Sequence, residues 1–564
     1  MKSRKIVIVG GVAGGATAAA RLRRLNEGAH IVLLERGEHI SFANCGLPYY
    51  IGGAIEKREK LLVQTVEGMS RRFHLDIRTL SEVLRINRSE KTVSIQNLLS
   101  GEVYDESYDT LILSPGAKPI VPPIPGLADA RTVFTLRNIP DTDKIKAYVA
   151  EAKPKRAVVV GGGFIGLEMA ENLHQLGIHV SLVELSAQVM EAMDVEMAAI
   201  LQQHLRAKGV ALYLSDGLKA VEEGGSRLVL QSGTELAADM LVMAVGVQPE
   251  SSLAKEAGLA LGSRNSIRVN EYLQTSDPHI YAVGDAIEVQ DWVSGQACFV
   301  PLAWPANRQG RIVADTISGK PTPYKGTLGT AIAKVFDLTA AVTGNTEKVL
   351  QKRGVPYLTA HIHPNSHAGY YPGAKPLALK LLFSPEDGML FGAQAVGEKG
   401  ADKRIDVLAT AIKGGLNVWD LAELELAYAP PFSSAKDPVN MLGYVAQNML
   451  EGEVDTIQWH QIRDLAAAGA FVLDVREKKE LEGGFIEGAV HIPLDQLRDR
   501  LAELPAAETI YIYCHAGLRG YLASRILQEW GFAVKNLDGG YKTYSVACQE
   551  MNNCSLATPE LVLQ

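Results

Sequence analysis

The sequence predicts an α/β protein of several domains, and three observations carry that prediction. Two stretches, Lys5–Glu35 and Arg156–Glu184, share one order: apolar strand, glycine-rich turn, helix, apolar strand, acid. A third and smaller α/β pattern runs from Trp459 to about Tyr544. The strands are continuous apolar runs, the signature of a parallel sheet covered on both faces. A chain of 564 residues exceeds what one core supports, so three or four domains are expected. The predicted architecture is two Rossmann-like dinucleotide-binding domains, an α+β domain, and a small doubly wound α/β domain.

In the first unit Lys5–Val9 is the strand and Gly10-Gly11-Val12-Ala13-Gly14-Gly15 the turn. Ala16–Leu25 is the helix and Ile31–Leu34 the next strand, closed by Glu35. The turn approximates GxGxxG, with Val12 at the middle glycine. A pyrophosphate can rest on such a helix N-terminus, and Glu35 is placed to accept from a ribose hydroxyl. Ala18, Leu22 and Leu25 share the core face of the helix. Thr17, Arg21 and Arg24 share another, which reads either as a solvated face or as a phosphate clamp.

Tyr108–Gly116 is an apolar strand ending in a Pro-Gly turn, and Lys118–Gly126, with four prolines, reads as a crossover between domains. The second unit has strand Arg156–Val160 and a full GxGxxG at Gly161-Gly162-Gly163-Phe164-Ile165-Gly166. Helix Leu167–Leu176 and strand His179–Val183 follow, ending in Glu184. An acid there bonds a ribose 2′-hydroxyl and repels a 2′-phosphate, which predicts NADH over NADPH. Met240–Gly246 closes this domain, and Ile280–Asp285 is a return strand ending in Gly-Asp. The predicted domains are 1–120 with 249–325, 121–248, 326–450 and 456–550. The third holds Tyr370, Tyr371 and Tyr428, which read equally as packing or as chemistry. Glu451–Thr456 is a polar linker.

Composition excludes several classes. Net charge is −8 and pI about 6.0, which disfavours nucleic-acid binding. No apolar run approaches the ~18 residues of a membrane helix. Lys2, Arg4 and Lys5 before an apolar stretch imitate a secretory signal, but the glycine turn and second strand read better as a folded nucleotide site. Five cysteines (Cys45, Cys298, Cys514, Cys548 and Cys554) make no disulfide framework and no metal cluster, and they suit a reducing cytoplasm.

Two cysteines stand in chemical settings. Cys45 lies within Ser41–Tyr50 (SFANCGLPYY), just past the first unit. Cys514 opens Cys514-His515-Ala516-Gly517-Leu518-Arg519-Gly520, after the strand Ile510–Tyr513. A six-residue loop of this kind can aim backbone N–H groups at a sulfur, and with Arg519 it would stabilise a persulfide anion. Gly517 and Gly520 permit the tight turn and count against a merely buried thiol. Phosphatases with Cys and Arg at the same spacing are the runner-up for this loop.

The two dinucleotide turns and the Gly-Asp strand, in this order, resemble the two-dinucleotide-binding flavoprotein disulfide reductases over about residues 5–445. The resemblance implies FAD in the first site and a nicotinamide cofactor in the second. It assigns Gly10, Val12, Ala13, Gly14, Gly15, Glu35, Arg36, Asn44, Val83, Ser114, Gly116, Asp285, Pro301 and Ala303 to FAD. Gly161, Gly163, Phe164, Ile165, Gly166, Glu184 and Gly246 go to NADH. Residues 326–447 would be the dimerisation domain, implying a homodimer. Family members with a dithiol carry a second cysteine five residues after the first. Here that position is Tyr50, so a single redox cysteine must cycle as a mixed disulfide, persulfide or sulfenic acid.

SFANCGLPYY resembles the coenzyme A-disulfide reductases. That implies a coenzyme A site formed by Thr17, Arg21, Arg24, Ser41, Phe42, Asn44, Cys45, Arg72 and Phe432. Tyr370 or Tyr371, together with Tyr428, would be proton donors to the departing thiolate. Residues 456–550, with Asp474, Arg476 and the Cys514 loop, resemble a single-domain rhodanese. The expected function is NADH-dependent reduction of persulfide, polysulfide, sulfur or coenzyme A disulfide, with Cys514 and Arg519 handling sulfane sulfur. The alternatives are a coenzyme A-disulfide reductase with an accessory rhodanese, an NADH oxidase or peroxidase, and a redox-sensing interaction protein.

Overall fold

A computed structural model describes residues 4–551 and 556–557. Lys2 and Cys554 lie outside them. The chain forms two compact units: Met1–Leu185 with Asp216–Gly329, and Ser186–Ser215 with Thr330–Gln564.

In the first unit a parallel sheet has the order Ile280–Ala282, Thr110–Leu113, Lys5–Val9, His30–Leu34, Asp76–Arg78. Its central strands are buried along nearly their whole length, which explains their unbroken apolar runs. Strands Val133–Phe134, Met240–Met243, Arg156–Val160 and His179–Val183 repeat the parallel pattern. The predicted helices are longer at their N-terminal ends. They are Ala13–Leu25 and Phe164–Gln175, because glycines of each turn already belong to the first helical turn.

Helix Ala13–Leu25 packs on helix Ala303–Ile317 at close range. A Cβ on Gly310 would come within 2.4 Å of the Gly14 carbonyl, so the crossing needs glycine there. The predicted crossover is a pair of antiparallel strands, Ala117–Pro119 and Val247–Pro249, which carry the chain out of the first sheet and back. A three-stranded meander, Ser81–Asn87, Thr92–Asn97 and Val103–Ser107, was not foreshadowed by any motif.

The second unit holds two five-stranded sheets and a two-stranded pair, Phe485–Ile486 with Leu556–Ala557. One of the five-stranded sheets is antiparallel: Ala331–Val335, Leu338–Gly344, Leu390–Gly397, Leu377–Phe383, Leu358–Ile362. Helices Ala401–Gly414, Val418–Glu423 and Pro438–Leu450 accompany it. The other is parallel: Thr456–Ile457, Val534–Leu537, Ile510–Tyr513, Val472–Asp474, Val490–His491.

The segment between these sheets is not a free tether. Val454 is buried, the Tyr521 hydroxyl donates to Glu453 at 2.9 Å, and Arg525 donates to the Glu453 carbonyl at 3.0 Å. The parallel-sheet domain is docked on the antiparallel one through charge. His361, 2% exposed on its side chain, lies between Asp538 (2.6 Å) and Glu196 (3.0 Å). Glu196 also binds the fully buried Lys380, on which Asp194 and Glu347 converge. Among the described residues no helix is long and apolar enough to cross a membrane.

Candidate active site

The first glycine turn is a close-approach device. Gly10 has φ +96°, and a Cβ there would lie 2.0 Å from the Ser114 carbonyl oxygen. A Cβ on Gly15 would lie 1.9 Å from the Gly10 oxygen. The Glu35 carboxylate accepts from the N–H groups of Gly11 (2.8 Å) and Gly37 (2.9 Å), which sets the acid at the turn.

A cavity of about 400 Å³ opens here. Its wall includes Gly10, Val12, Ala13, Gly14, Glu35, Arg36, Asn44, Val83, Ser114, Gly116 and Asp285. Gly15, Pro301 and Ala303 are not on that wall, and Gly15 acts by letting strand and helix approach. Phe42, which the resemblance puts against coenzyme A, does line this cavity. Asp285 is only partly exposed, and desolvation holds its carboxyl up at about 6. A hydroxyl-rich ligand chain would relieve that cost.

Sequence reasoning missed Arg137, which also faces the cavity. Burial and the nearby Arg36 charge push its guanidinium down, so two cations line this cavity and would suit an anionic ligand. Arg137 sits in no motif, and only the tertiary fold could reveal it. The residues fit a flavin dinucleotide.

The second site repeats the geometry. Gly161 has φ +109°, with Ala244 O at 2.3 Å from a would-be Cβ, and Gly166 would meet Gly161 O at 1.8 Å. At Gly163 a Cβ meets no protein atom within 4 Å, so packing does not require glycine there. Phe164 and Ile165 begin the helix, and Glu184 accepts from Gly162 N–H at 2.6 Å. Gly246, at φ +107°, lies just past the Met240–Met243 strand.

Cys45 is exposed and free, in a one-turn helix, Asn44–Gly46. Its loop is stitched to the first turn. Ser41 N–H donates to Gly11 O (2.9 Å), Ala43 N–H to Leu61 O (2.8 Å), and Val63 N–H to Ser41 O (3.0 Å). Ser41 takes φ +46°, local strain of the kind kept at functional loops. Enough protein surrounds the sulfur that partial burial raises the thiol pKa, and the Glu168 and Asp285 carboxylates add to the rise. Glu168 is itself pushed up to about 7 by burial, which makes it a proton-holding neighbour that the sequence reading did not single out. Tyr50, at the position of a second thiol in dithiol relatives, is buried under Lys146, whose ammonium lies 4.1 Å from its ring centre.

The two arginines of the proposed clamp differ. Arg21 is paired with Asp315 at 2.7 Å, and Thr17 donates to Asn307 at 2.7 Å. Arg24 is exposed, its Nε on the Ala20 carbonyl at 3.1 Å and its charge unpaired among the described residues. Arg72 and Phe432 are exposed. Within the second unit the Tyr370 and Tyr428 hydroxyls bond each other at 2.8 Å, which raises the Tyr428 pKa. Tyr371 instead sets its ring edge-on to His367.

The Cys514 loop departs from expectation in two ways. Cys514 is free but buried, 2% exposed, with the Gly517 N–H aimed at Sγ at 3.1 Å. Gly517, at φ +115°, makes that turn possible. Arg519, expected to face a persulfide, is held by both oxygens of Glu480, at 2.6 and 2.7 Å. That pair holds the Glu480 carboxyl down at about 2. Beneath the loop Arg476 and Asp474 form a buried ion pair (2.7 Å), with Arg476 stacked 4.2 Å from the Tyr541 ring centre.

Two glycine-turn sites, a solitary thiol beside the first, and a second thiol in an anion-accepting loop define an FAD-dependent oxidoreductase that uses a nicotinamide cofactor and acts on sulfur. The chain belongs to the pyridine nucleotide-disulphide oxidoreductase family, whose pattern matches residues 4–309. The dimerisation domain of that family matches residues 330–438, and a rhodanese-like domain matches 458–547. The coenzyme A disulfide reductase of Staphylococcus epidermidis is 39% identical over 78% of this chain and 100% of its own length. The reduced CoADR-RHD of Bacillus anthracis is 60% identical, covers 98% of this chain and 99% of that one, and superposes with TM-score 0.97. An NAD-dependent persulfide reductase from A. fulgidus is 39% identical over 96% of this chain and 100% of that one, with TM-score 0.90.

Proposed function

We propose that this chain is a cytoplasmic, homodimeric enzyme that uses NADH to reduce persulfides, polysulfides and coenzyme A disulfide through Cys45. Residues 1–120 and 249–325 hold FAD, 121–248 hold NADH, 326–450 dimerise, and 456–550 accept sulfane sulfur at Cys514. The observation that carries the reading is a single thiol at Cys45, with buried Tyr50 where a second would stand, in one chain with the Cys514 loop. Bound FAD supplies the electron pair from NADH.

The Cys45 thiolate attacks the sulfur bonded to carbon in a coenzyme A persulfide. The S–S bond breaks, HS⁻ leaves, and a Cys45–coenzyme A disulfide forms. Two electrons then cleave that disulfide, returning the Cys45 thiolate and coenzyme A thiol. With coenzyme A disulfide the first leaving group is a coenzyme A thiolate instead. The Tyr370–Tyr428 hydroxyl pair is the proposed donor of the leaving group's proton. Glu168 holds a proton near Cys45 and, once ionised, disfavours the thiolate. Exposed Arg24 and Arg72 bind coenzyme A phosphates. Ser41 and Asn44 border its pantetheine arm, and Phe432 its far end.

The test is NADH oxidation with polysulfide, coenzyme A disulfide and O₂ side by side. Sulfur substrates should dominate and yield sulfide or coenzyme A thiol in proportion to NADH. Dominant O₂ consumption would replace this reading with an oxidase.

A further inference from the structure

Arg519 is the cation that a persulfide loop would present to an anion, and Glu480 already neutralises it. A second cation, Lys542, comes from another segment and has no carboxylate partner among the described residues. Gly540, at φ +61°, lies where a Cβ would sit 2.7 Å from Cys514 O and 2.9 Å from Ala516 N. Tyr541 N–H donates to Cys514 O at 2.8 Å, and Lys542 N–H to His515 O at 2.9 Å. Backbone pairing thus sets Lys542 directly against the sulfur loop.

Among the described residues no hydrogen bond or ion pair holds the Lys542 ammonium, and its partial burial disfavours the charge. Burial depresses the imidazoles of His515 and His363, and the Lys542 charge adds to the fall. His363 Nε2 meets Thr543 Oγ1 at 2.7 Å, while its Nδ1 is buried without a partner. Glu480 is the carboxylate that faces His515, and it is already taken up by Arg519, so the basic groups here still favour an arriving anion.

We propose that Lys542 and His515 form an anion subsite beside Cys514, which selects sulfur donors carrying negative charge beyond the sulfur they give up. The inference rests on Cys514 as sulfur acceptor and states which donors reach it. With thiosulfate, the Cys514 thiolate attacks the outer sulfur, the S–S bond breaks, and sulfite leaves. A Cys514 persulfide anion remains, and no oxidant or reductant is consumed. With an organic persulfide the outer sulfur moves to Cys514 and the thiolate leaves. Lys542 and His515 are positioning residues: they hold the sulfonate, or a phosphate on a longer donor, without touching the bond that breaks.

The test uses the full chain without NADH. Cyanide strips the loaded sulfur as thiocyanate, so sulfur transfer is read apart from flavin turnover. In Lys542→Met the KM for thiosulfate should rise about tenfold, with kcat within about twofold, as expected for one lost charge-assisted contact. Lys542→Arg should restore KM to within about threefold of the parent. With hydroxyethyl persulfide, which carries no charge beyond its sulfane sulfur, the same variants should shift KM by less than about threefold. If Lys542→Met does not fold, His515→Gln should raise the thiosulfate KM in the same selective way.

Equal KM changes for both donors, no change for either, or an arginine variant as poor as the methionine one would overturn the proposal. A parent protein that forms no Cys514 persulfide from any donor would sink the underlying reading of Cys514 as well.

Discussion

Raising the pH should release the rhodanese domain from its dock, through His361. The imidazole lies between the carboxylates of Asp538 and Glu196, and its pKa is raised to about 9. Burial opposes that rise, the Asp538 charge drives it, and Lys380 pulls against it. Asp194 and Glu347 reach the same site through Lys380. A folded pKa above the unfolded value of 6.5 means the stabilisation is full below about pH 6.5 and fades as the pH climbs through about 9. At 1.36 kcal/mol per pKa unit the full contribution is about 3 kcal/mol, falling to about 2 at pH 7.5 and to nearly nothing at pH 10.

The assay is thermal unfolding of the full-length protein at pH 7.5 and 10, compared with His361→Gln. Lysines and tyrosines titrate in both proteins, so the difference of differences isolates His361. The parent should lose about 4–8 °C more than the variant between the two pH values. Equal losses would show that the ion pairs carry no net stability, a known outcome for buried charges, and would refute the argument.

NADH should be preferred over NADPH, and Glu184→Ala should narrow the gap by about tenfold or more in kcat/KM, since a carboxylate that repels a 2′-phosphate is removed. NADPH turnover equal to that with NADH in the parent would exclude this. Cys45→Ser should keep FAD and accept hydride from NADH in stopped-flow, yet lose at least about 10³-fold with every sulfur substrate. Mass spectrometry of the parent should find coenzyme A on Cys45 in a fraction of molecules. Cys514→Ser should sharply lower turnover with polysulfide and spare coenzyme A disulfide; equal loss on both would leave the rhodanese an accessory.

The sheets and both dinucleotide turns were legible because buried parallel strands and close-approach glycines impose composition directly. Gly10, Gly15, Gly161 and Gly166 each lie where a Cβ would strike a carbonyl, so no other residue can hold those places. Glu35 and Glu184 end their strands and were found by spacing alone. The meander at 81–107 was not legible, since its half-polar strands carry no fixed-distance motif.

Side-chain partnerships were the main gap. Nothing in the order of residues says that Arg21 turns to Asp315 or that Arg519 turns to Glu480. Arg137 and Lys542 are single cations in unremarkable sequence, made notable by neighbours about a hundred residues away or by backbone pairing. The polar stretch Glu451–Thr456 reads as a tether, but its chemistry is equally suited to hydrogen bonds with Tyr521 and Arg525, and those bonds form.

The pinned linker changes how sulfur must travel. Fusing two sites raises effective concentration only when an intermediate can pass between them. A swinging rhodanese would have to part Asp538 from His361, a buried contact that holds the imidazole pKa up and favours the docked arrangement at neutral pH. The ties from Glu453 and the Trp459 N–H to Glu196 (3.3 Å) favour it further. On the proposed function, sulfur that passes from a docked Cys514 to Cys45 travels on a carrier thiol, and a thiol anchored by remote phosphates meets that need. On that reading the carrier is coenzyme A, and Arg24, whose charge is unpaired among the described residues, is the proposed anchor, since Arg21 is committed to Asp315. Arg24→Ala should therefore impair polysulfide and coenzyme A disulfide alike, raising KM for both by about tenfold, the loss of one charged phosphate contact. Cys514→Ser should impair only the first. If Arg24→Ala leaves polysulfide turnover intact while weakening coenzyme A disulfide, the carrier is not coenzyme A, and sulfur reaches Cys45 by a route that owes nothing to that arginine.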